Sequence, residues 1–196
     1  MVTVEPTNGL LVDGATIVWS GKFVRTIVKN GYEFSSRRKG SGVVMVVATV
    51  QDDIEPAITN LVLVEQYRPA IGANVIELPA GIAGDISGKE EESIIQAAGR
   101  ELEEETGYRA ENLELIVTGC TSPGIIDERI SVVLASGLSK TGQGGGDGTE
   151  NITVHEVPLV DLAGWLSVKA KDGAVVDLKV FIAPYLVRLR NVGPIA

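Results

Sequence analysis

The chain has 196 residues, 44% of them hydrophobic, and a formal net charge of −9 at pH 7. This length allows one substantial hydrophobic core. The negative charge argues against a nucleic-acid partner, because phosphates would be repelled. No apolar run approaches the ~18 residues of a membrane span, and residues 1–11 lack the pattern of a signal peptide. The single cysteine, Cys120, excludes an internal disulfide, so an intracellular, cytoplasmic protein with no membrane partner is expected.

The N-terminal part of the chain is predicted to form antiparallel strands. Residues 16–28 and 32–38 alternate like the strands of hairpins, and Asn30 with Gly31 is a strong turn signal. Residues 1–39 are therefore expected to form an N-terminal antiparallel β-layer. The layer is too small for a hydrophobic core of its own, so packing against a partner subunit in a homodimer is expected.

The rest of the chain, residues 40–196, is predicted to form a domain of mixed strands and few helices. Runs of β-branched or alternating residues predict strands at residues 43–50, 60–67, 75–78, 113–118, 129–138 and 152–157. Helices are predicted at residues 90–106, 159–166 and 180–190, the first of them ending at Gly107. The glycine-rich residues 142–148 are expected to form a mobile loop. This set of elements predicts an α+β sandwich.

The strongest chemical signal lies at the end of the first predicted helix, where residues 100–107 read R-E-L-E-E-E-T-G. On a helix, the i, i+3, i+4 spacing places Glu101, Glu104 and Glu105 on one face. Carboxylates this close repel one another unless a cation neutralises them, and Mg²⁺ or Mn²⁺ suits carboxylate oxygens. The alternative is a solvated acidic face on a surface helix. Glu103 points away from the other three and is expected to be solvated.

With its flanks, this stretch resembles the box of the Nudix hydrolase family, G-x5-E-x7-R-E-U-x-E-E-x-G-U, where U is apolar. Glu92, Arg100 and Gly107 match fixed positions of the box, and Tyr108 stands at the last one. Gly81 matches the leading glycine but lies eleven residues before Glu92, where the family has six, so the loop before the helix carries a five-residue insertion.

The resemblance implies a Nudix α/β/α sandwich, with a mixed sheet between helices, and a set of site residues. The implied metal ligands are the backbone carbonyl of Ala80 and the carboxylates of Glu101, Glu104 and Glu105. Arg100 and Glu92 are implied to pair with each other and to brace the loop and the helix.

Residues 66–69, Q-Y-R-P, and 77–81, E-L-P-A-G, are similar to a pair of sequences in the branch that hydrolyses ADP-ribose and nucleoside-diphosphate sugars. The resemblance implies that Arg68 lies near the diphosphate, which suits a planar bidentate donor, and that Glu77 also binds substrate. The alternative is that Arg68 is a strand-end residue paired with Glu65 or Glu77.

Substrate recognition is implied for four further residues. Pro123 lies sixteen residues after Gly107, the spacing that marks ADP-ribose hydrolases in this family. Relatives use N-terminal aromatic side chains, often across a dimer, to sandwich the nucleobase, and Phe23 and Phe34 best match those positions; the alternative for each is packing in the small sheet. Arg38 can reach a phosphate or form part of a solvated basic turn. In an acidic protein, local arginines can reverse the sign of the charge at a diphosphate site, and the candidates are Arg25, Arg37, Arg38 and Arg68.

The general base has several candidates. Several relatives place a catalytic glutamate on a flexible loop just before a strand, and Glu150 fits that position, with the preceding glycines as a hinge. Glu101, Glu105 and Glu156 are the alternatives. Glu101 is therefore a candidate both for metal binding and for catalysis.

The resemblance implies Mg²⁺-dependent, or Mn²⁺-dependent, hydrolysis of ADP-ribose or a nucleoside-diphosphate sugar to a nucleoside monophosphate and a sugar phosphate. One alternative is a hydrolase that prefers sugar nucleotides such as GDP-mannose. Another is a nucleotide-sugar sensor without turnover, which the complete carboxylate set disfavours.

Overall fold

The structure is a computed structural model that describes residues 10–11, 14–40, 42–52, 54–55, 58–146 and 151–189. Its strands are β1 (Leu10–Leu11), β2 (Ala15–Ser20), β3 (Val24–Lys29), β4 (Tyr32–Arg37), β5 (Gly42–Gln51), β6 (Thr59–Arg68), β7 (Ala73–Glu77), β8 (Ala80–Ala83), β9 (Tyr108–Cys120), β10 (Arg129–Lys140), β11 (Thr153–Pro158) and β12 (Val175–Val176). Its helices are α1 (Ile94–Thr106), α2 (Leu162–Lys171) and α3 (Ala183–Leu189), and a 3-10 helix (Leu178–Ile182) precedes α3. Within these ranges, no helix has the length and apolar character needed to cross a membrane.

The N-terminal strands form a separate antiparallel sheet in the order β1-β2-β3-β4. Asn30 and Gly31 join β3 to β4, and both have left-handed backbone conformations, with φ of 54° and 77°. A two-residue turn of this kind matches the twist of paired strands, so the predicted hairpin is confirmed. The predicted run of residues 16–28 is divided by a turn, in which the N–H of Gly21 donates to the carbonyl of Val24 at 2.8 Å.

The central sheet has eight strands in the order β12-β7-β6-β5-β10-β9, with β11 paired to β6 and β8 paired to β5. β10 is parallel to β5 and β12 is parallel to β7, whereas the other pairs are antiparallel. The sheet is therefore mixed, as predicted. β8 is a short strand at residues for which no strand is predicted.

Helices cover both faces of this sheet. Alternate side chains of β5 enter two core clusters, Val43, Met45 and Val47 in one and Val44, Val46 and Ala48 in the other. The first cluster includes Leu166 of α2 and Leu186 of α3, and the second includes Ala98 and Leu102 of α1. Burial on both faces explains why β5 is a continuous apolar run. The predicted α/β/α sandwich is confirmed.

Several predicted boundaries are wrong. α1 begins at Ile94 rather than at residue 90, because Ser93 caps it. The N–H of Gln96 donates to Ser93 Oγ at 3.2 Å, and the N–H of Ser93 donates to Gln96 Oε1 at 2.9 Å. This capping box fixes the start of the helix, and the glutamates before Ser93 lie in turns. α2 spans residues 162–171 instead of 159–166, and the last predicted helix is divided into a 3-10 helix and α3.

A polar cluster joins α2 to the sheet. Glu65 of β6 lies 2.9 Å from His155 Nε2 of β11, and it accepts hydrogen bonds from Lys169 Nζ of α2 at 2.8 Å and from Asn74 Nδ2 at 3.1 Å. Burial opposes ionisation of Glu65, but these hydrogen bonds outweigh it and lower the pKa of Glu65 to about 2. The cluster therefore depends on an ionised Glu65.

Candidate active site

A cleft of about 430 Å³ opens between β8 and the second half of α1. Its charged lining residues are Arg37, Arg68, Asp85, Arg100, Glu101, Glu104 and Glu105. Ala80 and Gly81 of β8 line it as well. The cleft thus combines carboxylates, which attract a cation, with guanidinium groups, which attract an anion.

The backbone of β8 runs directly against Glu101. A Cβ atom at Gly81 would lie 1.8 Å from Glu101 Cδ and 1.9 Å from Glu101 Oε1, so only glycine allows this approach. The next residue, Ile82, donates its N–H to Glu101 Oε1 at 3.2 Å. Burial raises the pKa of Glu101, and the neighbouring Arg100 partly opposes that rise. Gly81 therefore sets the place of the Glu101 carboxylate.

Glu105 meets the same strand one turn further along α1. Its side chain is buried, with 4% of the residue exposed, and its Oε2 accepts the N–H of Ala80 at 3.1 Å. Among the described residues, no three histidine, cysteine, aspartate or glutamate side chains are already arranged as a metal-binding group. The donor types nevertheless fit a hard divalent cation, because Glu101, Glu104, Glu105 and the Ala80 carbonyl offer only oxygen.

Arg100 offsets part of the negative charge of this acidic face. Its Nε and Nη2 bind the two oxygens of Glu92 at 2.9 and 3.0 Å, and its Nη1 lies 2.9 Å from Glu101 and 3.0 Å from Glu104. Its Nη2 also donates to the carbonyl of Ile82 at 3.2 Å. The hydrogen bonds with Glu92 raise the pKa of Arg100 and lower that of Glu92. Arg100 therefore ties the entry loop, β8 and the helix together.

Two arginines approach the cleft from outside the box. Arg68 lines the cleft, and its Nε donates to Glu77 Oε2 at 2.7 Å. Arg68 is therefore both paired with Glu77 and placed at the cleft. Glu77 supports Arg68. The second arginine is Arg37, at the end of β4, which is held by Glu128 at 2.6 Å.

Of the two candidate arginines at this strand end, Arg37 lines the cleft and Arg38 does not. The Nη1 of Arg38 donates to the carbonyl of Gly21 at 2.6 Å, in the N-terminal sheet. Adjacent residues at a strand end face opposite ways, and the sequence does not show which of the two faces the cleft. The basic stretch that contains both arginines is the sequence signal for Arg37.

The predicted base-recognition residues are not among the residues that line the cleft. Phe23 is 67% exposed in the turn after β2, Phe34 is partly buried on β4, and Pro123 is exposed. The loop that carries Pro123 docks on β4, where the N–H of Ser35 donates to Ile125 O at 2.8 Å. Strand β4 of the N-terminal sheet therefore contacts this loop through Ser35 and reaches the cleft through Arg37.

The candidate bases are separated in space. Glu101 and Glu105 line the cleft, whereas Glu150 lies outside the described residues. Glu156 sits on β11, where it accepts the hydroxyl of Tyr108 at 2.6 Å. The cleft as described thus contains two of the four candidates. Glu92 and Gly107, the two other fixed positions of the box, are not among the lining residues. Glu92 holds Arg100, and Gly107 ends α1.

Comparisons with known proteins agree with this geometry. The family model for the NUDIX domain matches residues 39–178. The chain is 37% identical over 139 residues to the methanol dehydrogenase activator of Bacillus methanolicus, covering 69% of this chain and 70% of the relative. It is 36% identical over 152 residues to the ADP-ribose pyrophosphatase of Bacillus subtilis, covering 74% and 76%. A crystal structure of an ADP compounds hydrolase shares the fold, with a TM-score of 0.64, 22% identity and coverage of 92% of this chain and 94% of that one. The chain belongs to the Nudix family.

Proposed function

We propose that this protein hydrolyses the diphosphate bond of ADP-ribose or of a related nucleoside-diphosphate sugar. The products are a nucleoside monophosphate and a sugar phosphate. The observation that carries the proposal is the cleft itself, in which the carboxylates Glu101, Glu104 and Glu105 share one lining with Arg37 and Arg68. A diphosphate has two anionic groups, so it needs both a cation and guanidinium donors at short range.

Nudix hydrolases generally need divalent cations, and we assign Mg²⁺ or Mn²⁺ to the oxygens of Glu101, Glu104, Glu105 and the Ala80 carbonyl. When bound, the cation neutralises charge on the diphosphate and makes water more acidic. Arg68 orients a phosphate by hydrogen bonds, and Glu77 holds the guanidinium in place.

Proton removal from the attacking water needs a carboxylate within reach of the cleft. Glu150, Glu101 and Glu105 are the proposed bases. A glutamine variant of each separates the roles. Loss of the base should lower kcat while the fold and Mn²⁺ binding stay unchanged, whereas loss of a metal ligand should also weaken Mn²⁺ binding.

We assign base recognition and homodimer contacts to the N-terminal layer, residues 1–39, and the chemistry to residues 40–196. Two features support this division. Arg37 at the end of β4 lines the cleft, and the exposed Phe23 ring lies in the turn that joins β2 to β3 of the same sheet, with Lys22 Nζ 4.8 Å from its centroid. Phe34 and Pro123 lie on the two segments that meet beside Arg37.

The identity to the methanol dehydrogenase activator favours a second candidate function, activation of a dehydrogenase. In that case the protein added to a methanol dehydrogenase raises the rate of methanol oxidation. The two functions are compatible if the activation depends on the same hydrolytic cleft. Loss of activation in a Glu105→Gln variant would indicate such a dependence.

The test is turnover on a panel of ADP-ribose, GDP-mannose, UDP-glucose, NADH and 8-oxo-dGTP, with Mg²⁺ and a phosphatase that releases phosphate from the products. Turnover of ADP-ribose or nucleotide sugars is expected, and their ranking decides between an ADP-ribose and a GDP-mannose preference. The Glu105→Gln variant should retain its fold and lose at least about 100-fold in kcat. Wild-type protein with no turnover on any substrate, with Mg²⁺ or Mn²⁺, would support the sensor alternative instead.

A further inference from the structure

The C-terminal end of α1 has an unusual set of hydrogen-bond partners. The last carbonyls of a helix have no partner within the helix. Here the carbonyl of Glu104 accepts the N–H of Gly146 at 3.1 Å, and that of Glu105 accepts the N–H of Gly145 at 2.9 Å. The next carbonyl, of Thr106, accepts Lys140 Nζ at 3.1 Å. A segment distant in sequence thus completes the turn that carries two of the proposed metal ligands.

Three consecutive glycines make this contact possible; we name residues 144–146 the glycine clasp. Their φ values are 72°, 110° and 88°, a left-handed run that other residues rarely adopt. A Cβ atom at Gly144 would lie 2.5 Å from the carbonyl oxygen of Glu105 and 2.5 Å from the carbonyl carbon of Thr106, both of them backbone atoms. The clasp and the helix end therefore pack backbone against backbone.

We infer that the glycine clasp is a positioning element for Glu104 and Glu105, which it holds by the backbone carbonyl of each. Helix ends fray when their last carbonyls have no partner, and ligand side chains bind metal well only when held close to their productive geometry. The inference rests on the proposed metal site. It assigns a role to residues 144–146, which belong to the glycine-rich residues 142–148 that the sequence predicts to form a mobile loop.

The test compares Gly144→Ala with Gly142→Ala. The methyl group added by the first change would clash with backbone atoms at the end of α1, whereas a Cβ at Gly142 meets nothing within 4 Å. Binding of Mn²⁺ alone is measured by the loss of the free-ion signal in electron paramagnetic resonance, and folding is measured by thermal denaturation. Gly144→Ala should bind Mn²⁺ roughly 10-fold more weakly than wild type, and Gly142→Ala should match wild type.

Hydrogen exchange on wild-type protein tests the same contact without a substitution, and it decides the matter if Gly144→Ala does not fold. The amides of Gly145 and Gly146 should be protected, and Mn²⁺ should slow their exchange further, because coupling between two sites is reciprocal. Exchange at the rate of an unstructured peptide, or exchange unaffected by Mn²⁺, would overturn the inference.

The outcomes separate this inference from the proposed function. Equal Mn²⁺ affinity in folded Gly144→Ala and wild type would overturn the positioning role and leave the hydrolase proposal intact. Wild-type protein that binds no Mn²⁺ would overturn the metal site, and the positioning role with it.

Discussion

Replacing Gly81 by alanine should separate catalysis from folding. A Cβ at this position would lie 1.8 Å from Glu101 Cδ, whereas ordinary van der Waals contact begins at 3.4 Å. The carboxylate must therefore retreat by roughly 1.6 Å to restore contact distance. Because a misplacement of ~1 Å costs about 100-fold in rate, kcat should fall by at least about 100-fold, or ~2.7 kcal/mol in activation free energy.

The fold should survive this change, because the atoms that the methyl group meets belong to the end of a flexible side chain. Loss of the hydrogen bond from Ile82 N–H to Glu101 should cost about 1 kcal/mol in the free energy of unfolding, or roughly 2–4 °C in Tm. The assay is kcat on ADP-ribose at saturating Mg²⁺, together with thermal denaturation. Gly119→Ala is the matched control, since a Cβ there meets nothing within 4 Å. A Gly81→Ala variant with wild-type kcat would refute the assigned role of Glu101.

Three further changes test other contacts. Glu92→Gln removes the charge that binds the partly buried Arg100 through two hydrogen bonds, and urea denaturation should show a loss of about 2 kcal/mol in the free energy of unfolding. The pKa of Glu65 in the folded protein is about 2, below its ordinary value of 4.5. Its contribution to stability is therefore complete above pH 4.5 and is lost as the pH falls toward 2. Glu65→Gln should flatten this part of the curve of unfolding free energy against pH. Arg37→Lys should raise the KM for ADP-ribose by about 10-fold because a bidentate donor is lost, whereas Arg38→Lys should not.

The carboxylate face could be predicted from the sequence because it depends on local geometry. A helix of 3.6 residues per turn places Glu101, Glu104 and Glu105 together whatever surrounds them. The start of that helix was missed because the preceding glutamates have helix-forming side chains. Ser93 with Gln96 carried the correct signal, a capping box.

The remaining site residues depend on contacts between distant segments, which one sequence does not reveal. Arg37 enters the cleft because β4 ends beside it and Glu128 holds the side chain, and Arg38 turns back to Gly21. The glycines at residues 144–146 predict flexibility when considered alone. The amides of Gly145 and Gly146 instead donate to the carbonyls of Glu105 and Glu104, which lie 40 and 42 residues away in sequence.

The proposal that Glu101, Glu104 and Glu105 support cation-dependent cleavage of a diphosphate is tested most directly by product analysis on wild-type protein. The protein is incubated with ADP-ribose and Mg²⁺, with and without EDTA, and the products are separated by anion-exchange chromatography. AMP and ribose 5-phosphate should form in equal amounts, stop forming with EDTA, and form again when excess Mg²⁺ is restored. AMP formation that EDTA does not affect would contradict the proposed cation dependence. No AMP from ADP-ribose, together with no product from GDP-mannose or UDP-glucose, would contradict the proposed function.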